Sequence, residues 1–302
     1  SSLHSTTAPM DAEPTLDERS TDVWFEDGTV VLKAARTLFR VYRGILSAQS
    51  PIFHDTFSIP QPTTQEMYDG CPVVVLHDFP NDLRVFLAAT HNPGYLKTSP
   101  VDGIDTLSAL LRLSTKYEVD YLRNDMLSIL TSIYPSSVEA WLERNSPPGY
   151  SEIDDHDFKA LNLARELQIL QILPGVFFEC CRHSVGSIFN AEIDATDKEK
   201  CLAAREDFVH EYCPLVYRFL YCRDDNSVCV DPSSCDAARL AWLTNNKSLA
   251  AIDDVFCGDF EWDDIMFCGL CIASAQGGFL AARQALWDNL PRIFGLPAWN
   301  TL

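Results

Sequence analysis

The sequence predicts an α+β protein in two parts: a small β-sheet flanked by helices, followed by a mainly α-helical domain. Three observations carry this. The chain has 302 residues, 47% hydrophobic and 11% aromatic, enough for two cores and too apolar for a disordered chain. Between Asp22 and Arg43 apolar residues alternate, and then the spacing turns helical. Ser146 to Glu152, SPPGYSE, reads as a linker, and beyond it the periodic stretches are mainly helical. The expected layout is a disordered tail over 1–20, a first domain over 21–145 and a helical domain over 153–302.

DVWFEDGTVVLKA, from Asp22, reads as two short strands joined at Asp27-Gly28 in a hairpin. Thr37 to Arg43 alternates as a third strand. Gly44 to Ser50 and Pro51 to Phe57 suit two short helices, with Ser50 as cap and Pro51 at the first helical position. Pro72 to Pro80, PVVVLHDFP, reads as a buried strand, and Asn81-Asp82 can cap the helix LRVFLAATHN. The stripe Ile104, Leu107, Leu110, Leu111, Leu113 and Tyr117 predicts a longer helix from about Gly103. Tyr121 to Ile133 is another helix, and Val138 to Arg144 a short turn. Past the linker, Asp157 to Leu170, Pro174 to His183 and Thr196 to Tyr221 read as helices. The last of these is expected to be the longest, capped by Thr196 with Glu199 three residues on.

The formal net charge is −20, and no cluster of Lys and Arg stands out against it. Neutralising phosphates requires such a cluster, so direct nucleic-acid binding is not expected, nor is attraction to anionic membranes. The most apolar run, Met266 to Ala275, is ten residues, too short to span a bilayer, and no signal peptide is visible. Eleven cysteines, an odd number, point to a reducing, intracellular setting, cytoplasmic or nuclear, with thiols as core fillers or metal ligands.

The stretch FRVYRGILSAQSPIF, with Phe39, Val41, Tyr42, Arg43, Leu46, Ser50 and Phe53, resembles the central motif of the BTB/POZ domain. Asp22, Val23, Phe25 and Gly28 resemble the family's preceding segment, and LLRLSTKYEVDYL, Leu110 to Leu122, its later helix. Tyr42 departs from the family, which has His there. The resemblance implies an ion pair between Asp22 and Arg43, and a dimer surface on the helices after the third strand. Ile45, Leu46 and Ile52 are the expected interface residues, with Phe53 in the core. In the second half, NSVCVDPSSCDAAR, FCGLC and the ending around Trp287, Leu290, Pro291, Phe294, Gly295, Leu296, Pro297 and Trp299 resemble a layout of BTB proteins from mushroom-forming fungi.

Cys229 and Cys235 are spaced C-x5-C, and Cys268 and Cys271 are spaced C-x2-C. Brought together, four thiolates suit a tetrahedral structural zinc. The alternatives are buried reduced thiols, or a disulfide such as Cys229–Cys235. Cys180, Cys181 and His183 invite a second metal reading, but neighbours on a helix point different ways, and core or surface roles are favoured. Cys213 and Cys222 read as core. The acidic run Asp253 to Asp264 does not fit an EF-hand loop and reads as a solvated loop or a docking site for a basic partner. No phosphate-loop, dinucleotide, zinc-protease or nucleophile-elbow motif is present.

These readings converge on a non-enzymatic interaction protein that forms homodimers or pairs with other BTB chains. The resemblance also implies an alternative, a substrate adaptor docking a cullin scaffold of a ubiquitin ligase. An unrecognised hydrolase is the outsider.

Overall fold

The computed structural model describes residues 17–59, 65–92, 94–98, 103–144, 156–222, 229–245, 255–256, 260 and 262–302. The expected linker, 146–152, lies outside them, as do the expected tail's residues 1–16 and much of the acidic run. The chain divides into two compact units, Ser1–Val101 with Ala109–Met126, and Asp102–Ser108 with Leu127–Leu302. The fold is mixed α+β.

In the first unit, β1 (Glu18–Trp24), β2 (Val30–Ala34), β3 (Thr37–Val41), β4 (Met67–Tyr68) and β5 (Cys71–Leu76) form one sheet in the order β1-β3-β2-β5-β4. Two expectations change here. The tail does not extend to residue 20, because Glu18 and Arg19 already pair with Thr37 and Leu38. Asp27-Gly28 does not close a hairpin either: β1 runs parallel to β3, and the antiparallel hairpin is β2–β3. Its turn falls at Ala35-Arg36, where Ala35 takes a left-handed φ of 47° with no glycine to announce it. Asp27-Gly28 instead carries the chain over the end of β3. The Gly28 N–H donates to the Phe25 carbonyl, and a Cβ on Gly28 would come within 2.9 Å of Arg40 Cγ and of that carbonyl.

The helices of this stretch are α1 (Arg43–Gln49), α2 (Pro51–Ser58), α3 (Pro80–His91), α4 (Tyr95–Thr98), α5 (Ile104–Lys116) and α6 (Asp120–Ile133). Ser50 caps α2 as expected, its hydroxyl accepting from the Phe53 N–H at 3.1 Å. It also donates to the Tyr117 carbonyl. Phe79, not Asn81, is the N-cap of α3, with Pro80 in its first turn. Phe53, Phe86, Leu110 and Tyr117 are buried, and the Phe53 and Tyr117 rings stack at 4.4 Å. The run around β5 is only half buried, since Val75 is 54% exposed.

The second unit continues through α7 (Val138–Glu143), α8 (His156–Glu166), α9 (Leu173–Arg182), α10 (Val185–Asn190), α11 (Ala195–Asp207), α12 (Cys213–Val216), α13 (Arg218–Tyr221), α14 (Pro232–Asn245) and α15 (Gly269–Ile293). The helix expected over Thr196 to Tyr221 is broken. Asp194, not Thr196, caps α11, and a π-helical turn at Phe208–Tyr212 followed by Pro214 divides the rest. The longest helix is α15, with Pro291 inside its last turn. α9 is central, packing against α8, α11 and α15. Residues 127–144 belong with these helices for physical reasons. Tyr134 donates to Asp157 at 2.7 Å, Arg144 pairs with Glu179, and the Trp141 ring lies 5.0 Å from that of Trp287. Gly175 is needed there, because a Cβ would come within 2.8 Å of Trp141.

Candidate metal centre

Two helix starts build the site. Asp231 opens α14, its carboxylate accepting from the Ser234 N–H and the Ser233 hydroxyl, with Pro232 at the first position. One turn in stands Cys235, 1% exposed, and two residues before Asp231 stands Cys229. Cys268 is the N-cap of α15 with extended backbone, φ −66° and ψ 155°, and Cys271 follows in the first helical turn. The four sulfurs all lie within 4.8 Å of one another. Cys229 Sγ and Cys268 Sγ are 3.9 Å apart, and the Cys268 N–H donates to Cys235 Sγ at 3.2 Å.

These distances fit a tetrahedral thiolate cage. Zinc–sulfur bonds of about 2.3 Å place tetrahedral sulfurs roughly 3.8 Å apart. A disulfide would hold two sulfurs about 2.05 Å apart, and all four cysteines are free. The spacing expected from the sequence therefore brings together all four predicted residues.

The electrostatics are uneven. The Cys268 thiol is brought down to about 6, first by the backbone N–H of Cys271 and then by that of Val230. Burial pushes Cys235 and Cys271 up. The positive ends of α14 and α15 meet at the cluster and favour negative sulfur. Cys235 and Cys271 sit out of water, where a divalent cation would offset the cost of holding thiolates. Four protein ligands leave no open position, the pattern of a structural rather than a catalytic site.

The other predicted positions fare differently. Asp22 does not pair with Arg43. Its carboxylate meets Arg84 of α3 at 3.1 Å, while Arg43 donates to the Phe57 carbonyl at 2.6 Å, tying the start of α1 to the last turn of α2. Leu46 is core, 1% exposed, because it points under α1 into the first unit; Ile45 is half buried and Ile52 is 37% exposed. Ile59, at the end of α2, is 62% exposed and was not singled out by the sequence. Cys213 is buried as expected, but Cys222 is exposed.

Cys180 and Cys181 are fully buried, and His183 turns away to Asp157 Oδ2 at 2.8 Å. Asp157, 4% exposed, also accepts from Tyr134 and lies 3.3 Å from His156. Sequence reasoning missed this network, because a single Asp at the head of an amphipathic helix gives no sign of its burial. Cys201 joins the two thiols from α11, its carbonyl accepting from Cys181 Sγ at 3.3 Å. Its own thiol falls to about 5, chiefly through hydrogen bonding from Cys180.

Comparison with protein-family models, curated proteins and solved structures finds no match for this chain. No helix among the described residues is long and apolar enough to cross a membrane.

Proposed function

We propose that this chain is a non-enzymatic protein–protein interaction protein with a structural zinc. In this reading a BTB/POZ-like N-terminal unit self-associates or pairs with a related chain, and the ion closes the helical unit. The observation that carries the zinc assignment is the convergence of Cys229, Cys235, Cys268 and Cys271, their sulfurs all within 4.8 Å. When bound, zinc holds the starts of α14 and α15 together, cross-linking segments separated by 32 residues between Cys235 and Cys268. An intracellular setting agrees with thiols that are free at every described cysteine.

Self-association draws support from the element order, hairpin, two short helices, strand and helices, and from Ile52 and Ile59. These lie seven residues apart on α2 and its cap, both exposed. The cullin-adaptor reading draws support from Phe79, 78% exposed at the head of α3, in the segment the resemblance assigns to that docking. It ranks second, because α7, the helix after Ile133, spans only six residues.

Native mass spectrometry of the full chain, before and after chelation, tests both parts. A dimer carrying one zinc mass per chain is the expected result. A metal-free chain after expression in zinc-supplemented medium would overturn the zinc assignment, and a monomer across the micromolar range would overturn self-association.

A further inference from the structure

The four thiols of the metal centre are not equivalent. Cys235 stands inside α14 and Cys271 inside α15, 1% and 5% exposed. Cys229 precedes α14, Cys268 precedes the first residue of α15, and both are partly open to solvent. Their neighbours Val230, Gly269 and Leu270 are exposed. A small oxidant therefore reaches the outer pair and not the inner one. The outer sulfurs are also close, with Cys229 Sγ and Cys268 Sγ 3.9 Å apart. Neither residue lies within a helix, so no helical backbone opposes closing that gap to the roughly 2.05 Å of a disulfide.

Resting on the reading that this cluster holds zinc, we propose that the centre is a peroxide-sensitive switch, in which Cys229 and Cys268 join as a disulfide and release the ion. One outer thiolate attacks an oxygen of hydrogen peroxide. The O–O bond breaks, hydroxide leaves, and the sulfur becomes a sulfenic acid. The other outer thiolate attacks that sulfur, the S–S bond forms, and a second hydroxide leaves. Two electrons have passed from the sulfur pair to the peroxide, and the two hydroxides take up two protons to become water. Zinc, left with two protein ligands in place of four, departs. Cys235 and Cys271 then take up one proton each.

The burial of the inner pair sets what remains. A neutral thiol packs as a small hydrophobe, so Cys235 and Cys271 keep their places once the ion has gone. The new bond spans 39 positions of sequence and ties the start of α14 to the start of α15, where the ion joined them. The oxidised chain is metal-free yet still closed at this point, and a dithiol reductant with added zinc reverses the change.

The test is titration of the full chain, as purified with its zinc, with hydrogen peroxide. Zinc release is read with a chromogenic chelator, and disulfides by peptide mass spectrometry after free thiols are alkylated. Zinc should leave in step with a Cys229–Cys268 linkage, with Cys235 and Cys271 recovered as thiols. Dithiothreitol with zinc should restore the starting state. Cys229→His keeps a metal ligand and removes one disulfide partner, so this variant should hold its zinc at peroxide concentrations that empty the wild type. Equal sensitivity of the two would overturn the switch. So would a zinc-loaded wild type that resists peroxide, or that loses its metal through sulfinic acids or a different cysteine pair; each of these leaves the zinc assignment standing. A chain that carries no zinc before peroxide is added would overturn that assignment, and the switch with it.

Discussion

The two units keep polar groups out of water in different ways. Among the described residues of the first unit, the polar residues buried as a whole are hydroxyl-bearing: Ser20, Ser50, Thr90 and Ser114. Each can be satisfied by a nearby backbone group, as Ser50 is by the Phe53 N–H and the Tyr117 carbonyl. Among the described residues of the second unit, five charged residues are buried: Asp157, Glu179, Asp197, Arg239 and Arg283. A buried charge needs a partner of opposite sign, and the acids find theirs in His183, Arg144, Arg182 and Arg165. Add the four-thiol cluster, and the second unit rests on pairings that pH and metal can remove. The first rests mainly on apolar packing and a hydrogen-bonded sheet, with one carboxylate, Asp78, buried against Lys116 and the Tyr117 hydroxyl.

Metal removal should break the comparison most sharply. Structural zinc in small domains is worth about 10–16 kcal/mol of apparent binding energy, so chelation or Cys235→Ala should melt the starts of α14 and α15. Hydrogen exchange should show Ser234 to Thr244 and Ile272 to Ala275 losing protection, with β2 and β3 unchanged. Equal loss in both units would erase the distinction.

Next in size is the reverse experiment. Phe53 is 1% exposed and stacked on Tyr117, so Phe53→Ala should cost about 3–5 kcal/mol. Denaturant unfolding should register this in the first unit only, with zinc content by elemental analysis unchanged.

The Asp157 network sharpens the contrast through pH. Its hydrogen bond to His183 lowers the Asp157 carboxyl below 3.8, against the opposing effect of burial, and the same hydrogen bond first of all raises His183 above 6.5. The His183 contribution is therefore fully present below pH 6.5 and lost as pH rises through its raised folded value. The Asp157 contribution is present above 3.8 and lost as pH falls through its lowered folded value. Asp157→Asn should cost about 1.5–3 kcal/mol at pH 6 and flatten the dependence of stability on pH between 6 and 8, read by urea unfolding at each pH. A slope that persists in the variant would assign it to another group.

The smallest effect belongs to the exposed pair. Asp22 and Arg84 have side chains 56% and 34% exposed, so a double-mutant cycle should give a coupling of about 0.2–1 kcal/mol. The corresponding cycle between Asp22 and Arg43 should give none, because Arg43 bonds the Phe57 carbonyl instead.

Local chemistry was legible in the sequence wherever a feature acts within a few residues. The Ser50 cap with Pro51 behind it, the helical stripe from Ile104 to Tyr117, and the cysteine spacings at 229/235 and 268/271 all depend on near neighbours. The same spacings made a four-sulfur site foreseeable, since each pair sits at one helix start. What depends on distant segments was not legible. The turn at Ala35-Arg36 carries none of the usual residues, and Asp27-Gly28 carries them without closing a hairpin, because β3, not β2, lies beside β1. Asp22 meets Arg84 rather than Arg43 only because α3 packs on β1. The burial of Asp157 against Tyr134 and His183 exists only once several helices have packed. Periodicity tells which face of an element turns inward, while the partner it meets there is a property of the assembled chain.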